Sequence, residues 1–122
     1  MILKISFKKK ELIIESSNGV FIKNFDLDIA QAVSHTDKIF VRLKLMQGDT
    51  ENKNVFCLNE EGKILWQIKD PDEYNPYIKK SDSPFTDIRI TSDNKIIVHN
   101  WNSNIYEVDI TTGNLTMAGW TK

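Results

Sequence analysis

Val33-Ser34-His35-Thr36-Asp37-Lys38-Ile39-Phe40-Val41 returns 57 residues later as Ile90-Thr91-Ser92-Asp93-Asn94-Lys95-Ile96-Ile97-Val98, and the pairing of these stretches decides the fold. Each has an apolar end, a polar turn and a β-branched run, the order expected of strand, turn, strand. Further along, Asn54-Val55-Phe56-Cys57-Leu58-Asn59 matches Asn104-Ile105-Tyr106-Glu107-Val108-Asp109 at an offset of 50. The difference of seven is a longer loop, Gln47 to Lys53, in the first copy. Gly62-Lys63-Ile64-Leu65 then matches Gly113-Asn114-Leu115-Thr116, with one extra residue in the second turn. Each copy therefore reads strand, turn, strand, loop, strand, Gly turn, strand, which is one four-stranded antiparallel meander.

A fainter third copy occupies residues 4 to 26, with Glu11-Leu12-Ile13-Ile14 and Gly19-Val20-Phe21-Ile22 as its second and third strands. Asn18-Gly19 between them predicts a type I′ hairpin turn, because both residues tolerate positive φ. The one helical candidate, Leu27 to Val33, is about two turns long and reads as a strand or a single turn. Tyr106, Val108 and Ile110 alternate with Ile105, Glu107 and Asp109, as a half-buried strand does. The unbroken run Ile96-Ile97-Val98 predicts cover on both faces. The fold class is all-β: antiparallel four-stranded meanders forming an incomplete, two- to three-blade β-propeller-like or sandwich domain. Residues 1–122 are one domain with modules near 4–26, 28–70 and 85–120.

Val55 to Trp66 and Ile105 to Leu115 together resemble the pyrroloquinoline-quinone-type propeller repeat. In that repeat a strand ending in an aspartate is followed by a Thr-Gly or Glu-Gly turn and a strand carrying a tryptophan. The resemblance implies that Gly62 and Gly113 adopt a backbone conformation barred to larger residues, and that Trp66 covers the contact between blades. Closed propellers need 4 to 8 blades, and this chain holds at most about three, so the hub that binds the quinone in such enzymes is not expected. No cofactor is carried over.

The bulk composition excludes several function classes. Sixteen basic and seventeen acidic side chains leave a net charge of -1, without the field that gathers nucleic acid or anionic membrane. One cysteine, Cys57, forms no intrachain disulfide and reads as a small core residue, which fits a reducing, cytoplasmic setting. The run from Met1 to Lys10 lacks the order of a signal peptide, since its basic residues follow the apolar ones. His35, placed in a turn, and His99, at a strand end, have no second ligand at motif spacing and read as structural. Nucleophile elbows, phosphate loops and calcium loops are absent from the sequence, so neither an enzyme nor a small-molecule substrate is expected.

What the sequence does offer is two loops. Asp70 to Phe85 carries all three prolines and the pair Tyr74 and Tyr77 among Asp70, Asp72, Glu73 and Asp82. Connections longer than about 12–15 residues are uncommon in small domains and often functional, and tyrosine among carboxylates suits a basic protein surface. The Gln47 to Lys53 loop, with Asp49 and Glu51, is the second candidate, and Trp101 between two asparagines is an exposed anchor or a lid. The candidate partner-binding set is thus Asp70, Asp72, Glu73, Tyr74, Tyr77, Asp82, Phe85, Asp49, Glu51 and Trp101. Small, cofactorless β proteins of this size are similar to the immunity partners of contact-dependent growth-inhibition toxins. The expectation is a bacterial immunity protein that binds and neutralises a toxin domain, such as a nuclease. The alternative is a general protein-interaction module or a subunit of a larger propeller assembly.

Overall fold

The computed structural model describes residues 1–44, 53–68, 85–100 and 104–120. They form eleven strands and no helix. In chain order these are β1 (Ile2–Lys8), β2 (Glu11–Ser16), β3 (Gly19–Asn24), β4 (Ile29–His35), β5 (Lys38–Leu43), β6 (Val55–Leu58), β7 (Ile64–Gln67), β8 (Phe85–Ile90), β9 (Ile96–Asn100), β10 (Asn104–Val108) and β11 (Leu115–Trp120). Three antiparallel meanders result: sheet 1 is β1-β2-β3, sheet 2 is β4-β5-β6-β7 and sheet 3 is β8-β9-β10-β11. The Leu27–Val33 segment enters β4 as a strand.

The repeat appears in the hydrogen-bond register. Ile39, Phe40, Val41 and Arg42 face Leu58, Cys57, Phe56 and Val55, while Ile96, Ile97, Val98 and His99 face Val108, Glu107, Tyr106 and Ile105. These pairs superpose at the offsets 57 and 50 read from the sequence. The gapless match of the first strands does not hold. Ala32 pairs with Val41 and Ile88 with Val98, so β4 corresponds to β8 at an offset of 56. The turns absorb the missing residue. His35 closes directly on Lys38, with Thr36 and Asp37 both at positive φ as in a type I′ turn. The second copy spans Thr91 to Lys95 with Asn94 as its one left-handed residue. His35 is accordingly the last residue of β4, not part of the turn.

Sheet 1 also differs from expectation. Ile2 N donates to Asp37 Oδ1 at the end of β4, and Ile29 N, at its start, donates to Lys9 O. Hence β1 runs antiparallel to β4. By contrast β8 runs parallel to β4, because Phe85 begins beside Leu43 and Asn54 while Ile88 lies beside Gln31. β1 therefore takes a second-strand place, and β2 and β3 are third and fourth strands, not second and third. Gly19 agrees: it opens β3 directly after the β2–β3 turn, Gly62 and Gly113 stand in the equivalent turns, and all three are at positive φ. Ser17 and Asn18 keep negative φ, so this turn is not type I′. Among the described residues, sheet 1 lacks the first strand of the repeat.

Two apolar clusters hold the sheets face to face. Leu12 and Ile14 of sheet 1 meet Ile29, Ile39, Val41, Leu43 and Leu58 of sheet 2. Phe40, Val55, Cys57 and Trp66 on the opposite side of sheet 2 meet Phe85, Ile88, Ile96, Val98, Tyr106 and Val108 of sheet 3. Sheet 2 is thus covered on both faces, which is why Ile39-Phe40-Val41 is apolar without a break. Ile97 is only partly buried, because sheet 3 ends the stack and Ile97 shares its outer face with Glu107 and Arg89. Burial raises the Cys57 thiol to about 11, with Lys38 acting weakly against it.

Trp66 covers the contact between sheets 2 and 3. Its Nε1 donates to Ile110 O at 2.7 Å, and its ring lies over Gly113, where a Cβ would come within 2.6 Å of Cε3. Gly113 is needed twice here, for its φ of 77° and for the approach of the indole.

Candidate functional site

Asn54 organises one end of the molecule. Sequence matching places it at the start of β6, opposite Asn104 in the other copy, but does not reveal its contacts. It is 2% exposed. Its Nδ2 donates to Leu43 O at 3.0 Å and Phe85 O at 2.9 Å, and its Oδ1 accepts from Phe85 N at 2.9 Å. Leu43 N in turn donates to Asn54 O, and Ile68 N to Val55 O. Leu43 and Asn54 flank the shorter sequence-nominated loop, and Ile68 and Phe85 flank the longer one. One buried carboxamide therefore ties together the roots of both.

Beside these roots lies a cleft of about 290 Å³. Phe25, Leu27, Leu43, Phe56 and Ile64 supply its apolar wall, with Phe25 and Phe56 tilted at 50° and 5.5 Å between centroids. Asp26, Lys53, Asn54 and Gln67 form its polar rim, and Gln67 Nε2 donates to Lys53 O at 2.7 Å. An apolar floor with a few placed polar groups is the form of a site that takes a side chain of a partner.

One residue pair inward, a polar cluster joins sheets 2 and 3. Arg42 Nε donates to Gln31 Oε1 at 3.1 Å, and Arg89 Nε to Asp87 Oδ2 at 2.7 Å. Burial lowers the Arg42 guanidinium pKa, with the Asp87 charge opposing. For Asp87, burial pushes the pKa up, but hydrogen bonds from Arg89 and Gln31 and the Arg89 charge outweigh it and hold the carboxyl below its ordinary range. Neither Gln31 nor Arg42 was signalled by any sequence motif.

Of the ten sequence-nominated residues, nine lie outside the described residues: Asp49, Glu51, Asp70, Asp72, Glu73, Tyr74, Tyr77, Asp82 and Trp101. Phe85 is described. It is 1% exposed and packs edge-on against Tyr106 at 6.3 Å, so its side chain serves the core. His35 Nε2 and His99 Nδ1 are buried without a hydrogen-bond partner among the described residues. Among those residues no three His, Cys, Asp or Glu side chains gather as a metal site, and no helix is long and apolar enough to cross a membrane.

No curated protein matches this chain. A computationally designed protein, Ika8, is similar in structure, with a TM-score of 0.54 and 13% sequence identity over 97% of this chain. The chain spans 36% of the length of that designed protein, and the likeness is one of fold. Residues 2–120 match a family described only as a domain of unknown function.

Proposed function

The chain belongs to that family, Domain of unknown function DUF7957, and from this premise we propose that it is a protein-binding domain whose loop end receives a partner. The observation that carries the reading is the Asn54 tie, which roots both acidic loops beside one apolar cleft. A loop pair held on a rigid sheet end presents its side chains at low entropic cost. The apolar cleft accepts an anchor residue, and the loop carboxylates steer a basic surface towards it.

The partner class proposed is a bacterial toxin domain, which makes the protein a cytoplasmic immunity protein of a contact-dependent growth-inhibition system. Its size and the acidic, tyrosine-bearing loop support this. The test is a pull-down with the whole chain as bait, followed by titration of the captured domain. Stoichiometric inhibition of a secreted toxin, lost on changing Tyr74 and Tyr77 to Ala, supports the proposal. Capture without inhibition, or inhibition indifferent to both tyrosines, overturns it.

A second reading, a subunit of a larger assembly of pyrroloquinoline-quinone-type blades, is favoured by the missing strand of sheet 1 and by Val20 and Ile22, which are 65% and 60% exposed. Mass measurement in solution separates the two: a stable oligomer of the isolated chain favours the assembly.

A further inference from the structure

The two complete sheets show what the strand missing from sheet 1 would meet. Ile88 of β8 turns its backbone N–H and C=O away from β9, and the carboxamide of Gln31 on the neighbouring first strand, β4, takes both. Gln31 Nε2 donates to Ile88 O at 2.9 Å, and Ile88 N donates to Gln31 Oε1 at 3.1 Å. Ala32 holds the same place in sheet 2 that Ile88 holds in sheet 3. Hydrogen-bonded and non-hydrogen-bonded pairs alternate along an antiparallel ladder. Counted from the closing pair His35–Lys38, Ala32 falls in a non-hydrogen-bonded pair, so its N–H and C=O also point out of the free edge of β4. Among the described residues no group meets them.

The same count applied to β1, from its closing pair Lys8–Glu11, turns the N–H and C=O of Ile5 and Phe7 to the edge away from β2. That edge is unpaired among the described residues. An extended segment lying there would pair with β1 and bring one side chain over Ala32.

We propose that this place is a strand-addition site for an extended segment of a partner protein, with a glutamine or asparagine seated on the Ala32 backbone. A carboxamide is required because the site presents one donor and one acceptor together, as Ile88 does to Gln31. The flanking pattern is that of the existing first strands, Ile29-x-Gln31-Ala32 and Phe85-x-Asp87-Ile88: an apolar residue two before the polar one and another directly after it. The described residues of a second copy hold no unpaired strand of this pattern, and the occupant proposed is a segment of a different protein. The inference goes beyond the loop-end reading and uses none of its residues.

The probe is a fluorescein-labelled peptide with the sequence of residues 28–36, titrated with the whole chain and followed by anisotropy. Saturable binding is expected, with amides of Ile5, Phe7 and Ala32 gaining protection from hydrogen exchange. The peptide carrying Gln31→Ala should bind at least tenfold more weakly. In the protein, Phe7→Pro removes an edge donor while leaving the β1–β2 ladder its bonds, and should abolish binding with an unchanged melting curve. Changing Tyr74 and Tyr77 to Ala should leave peptide binding intact, which separates this site from the loop end. No saturation by about 1 mM peptide, or equal binding of the alanine peptide, overturns the proposal. If Phe7→Pro unfolds the chain, the exchange data decide: unchanged protection at Ile5, Phe7 and Ala32 also overturns it.

Discussion

Gly113 and Gly62 occupy equivalent turns at similar φ, 77° and 84°, yet they face different neighbours. A Cβ at Gly62 would meet Ile14 Cδ1 at 3.5 Å, whereas at Gly113 it would enter the Trp66 ring. Gly62→Ala should therefore cost about 1–2 kcal/mol from backbone strain alone, and Gly113→Ala clearly more, about 3 kcal/mol or above as the indole is displaced. Urea denaturation of both variants checks the ranking. Thr36 sits at a φ of 48°, a region its branched side chain disfavours. Thr36→Asn should raise stability by about 0.5–1 kcal/mol, read as a higher urea midpoint at unchanged slope. Asp87 supplies a pH dependence. Its folded pKa lies below the ordinary 3.8, so its contribution is complete above that value and is lost as pH falls through the folded pKa. Asp87→Asn should flatten the acid limb of stability below about pH 4 and leave the neutral plateau's slope unchanged, as thermal melts across pH will show.

At the scale of elements, the β-hairpins carry the repeat and Asn54 carries the loops. Asn54→Ala would strand three backbone groups, Leu43 O at the end of β5 and Phe85 O and N at the start of β8. A loss of about 2–4 kcal/mol is expected, together with faster hydrogen exchange at Leu43 and Phe85. Asn54→Asp keeps the acceptor but not the donors and should recover only part of the loss. The correspondence of β5 with β9 and of β6 with β10 was legible in the sequence, because each of these strands matches its counterpart without a gap. The register of β4 and β8 was not, since a turn can take up one residue without changing which strand follows. Asn54 recurs as Asn104, and that recurrence was the available signal. Its three bonds were invisible because they link residues distant in sequence.

For the molecule as a whole, the two ends of the stack differ. On sheet 3, Cys57 and Val33 of the buried pattern are replaced by Glu107 and Arg89, and Lys95 reaches Glu107 at 3.5 Å. That end carries a polar cap. On sheet 1, Val20 and Ile22 stand exposed beside Ile13. Ile22→Lys in the isolated chain should change stability by less than about 0.5 kcal/mol. A larger drop in the thermal midpoint would mean that this face is covered in solution.

Sequence alone determined the all-β class, the strand order of the two complete meanders and the placing of Trp66 between sheets. These follow from local propensity and from self-similarity, which need no knowledge of distant neighbours. Tertiary structure decided the rest. It showed that β2 and β3 are the last strands of their sheet, that Phe85 belongs to the core, and that Asn54 gathers both loop roots. The physical reason is that strand direction, burial and hydrogen-bond partners in a stacked sheet are set across the stack, by residues far apart along the chain.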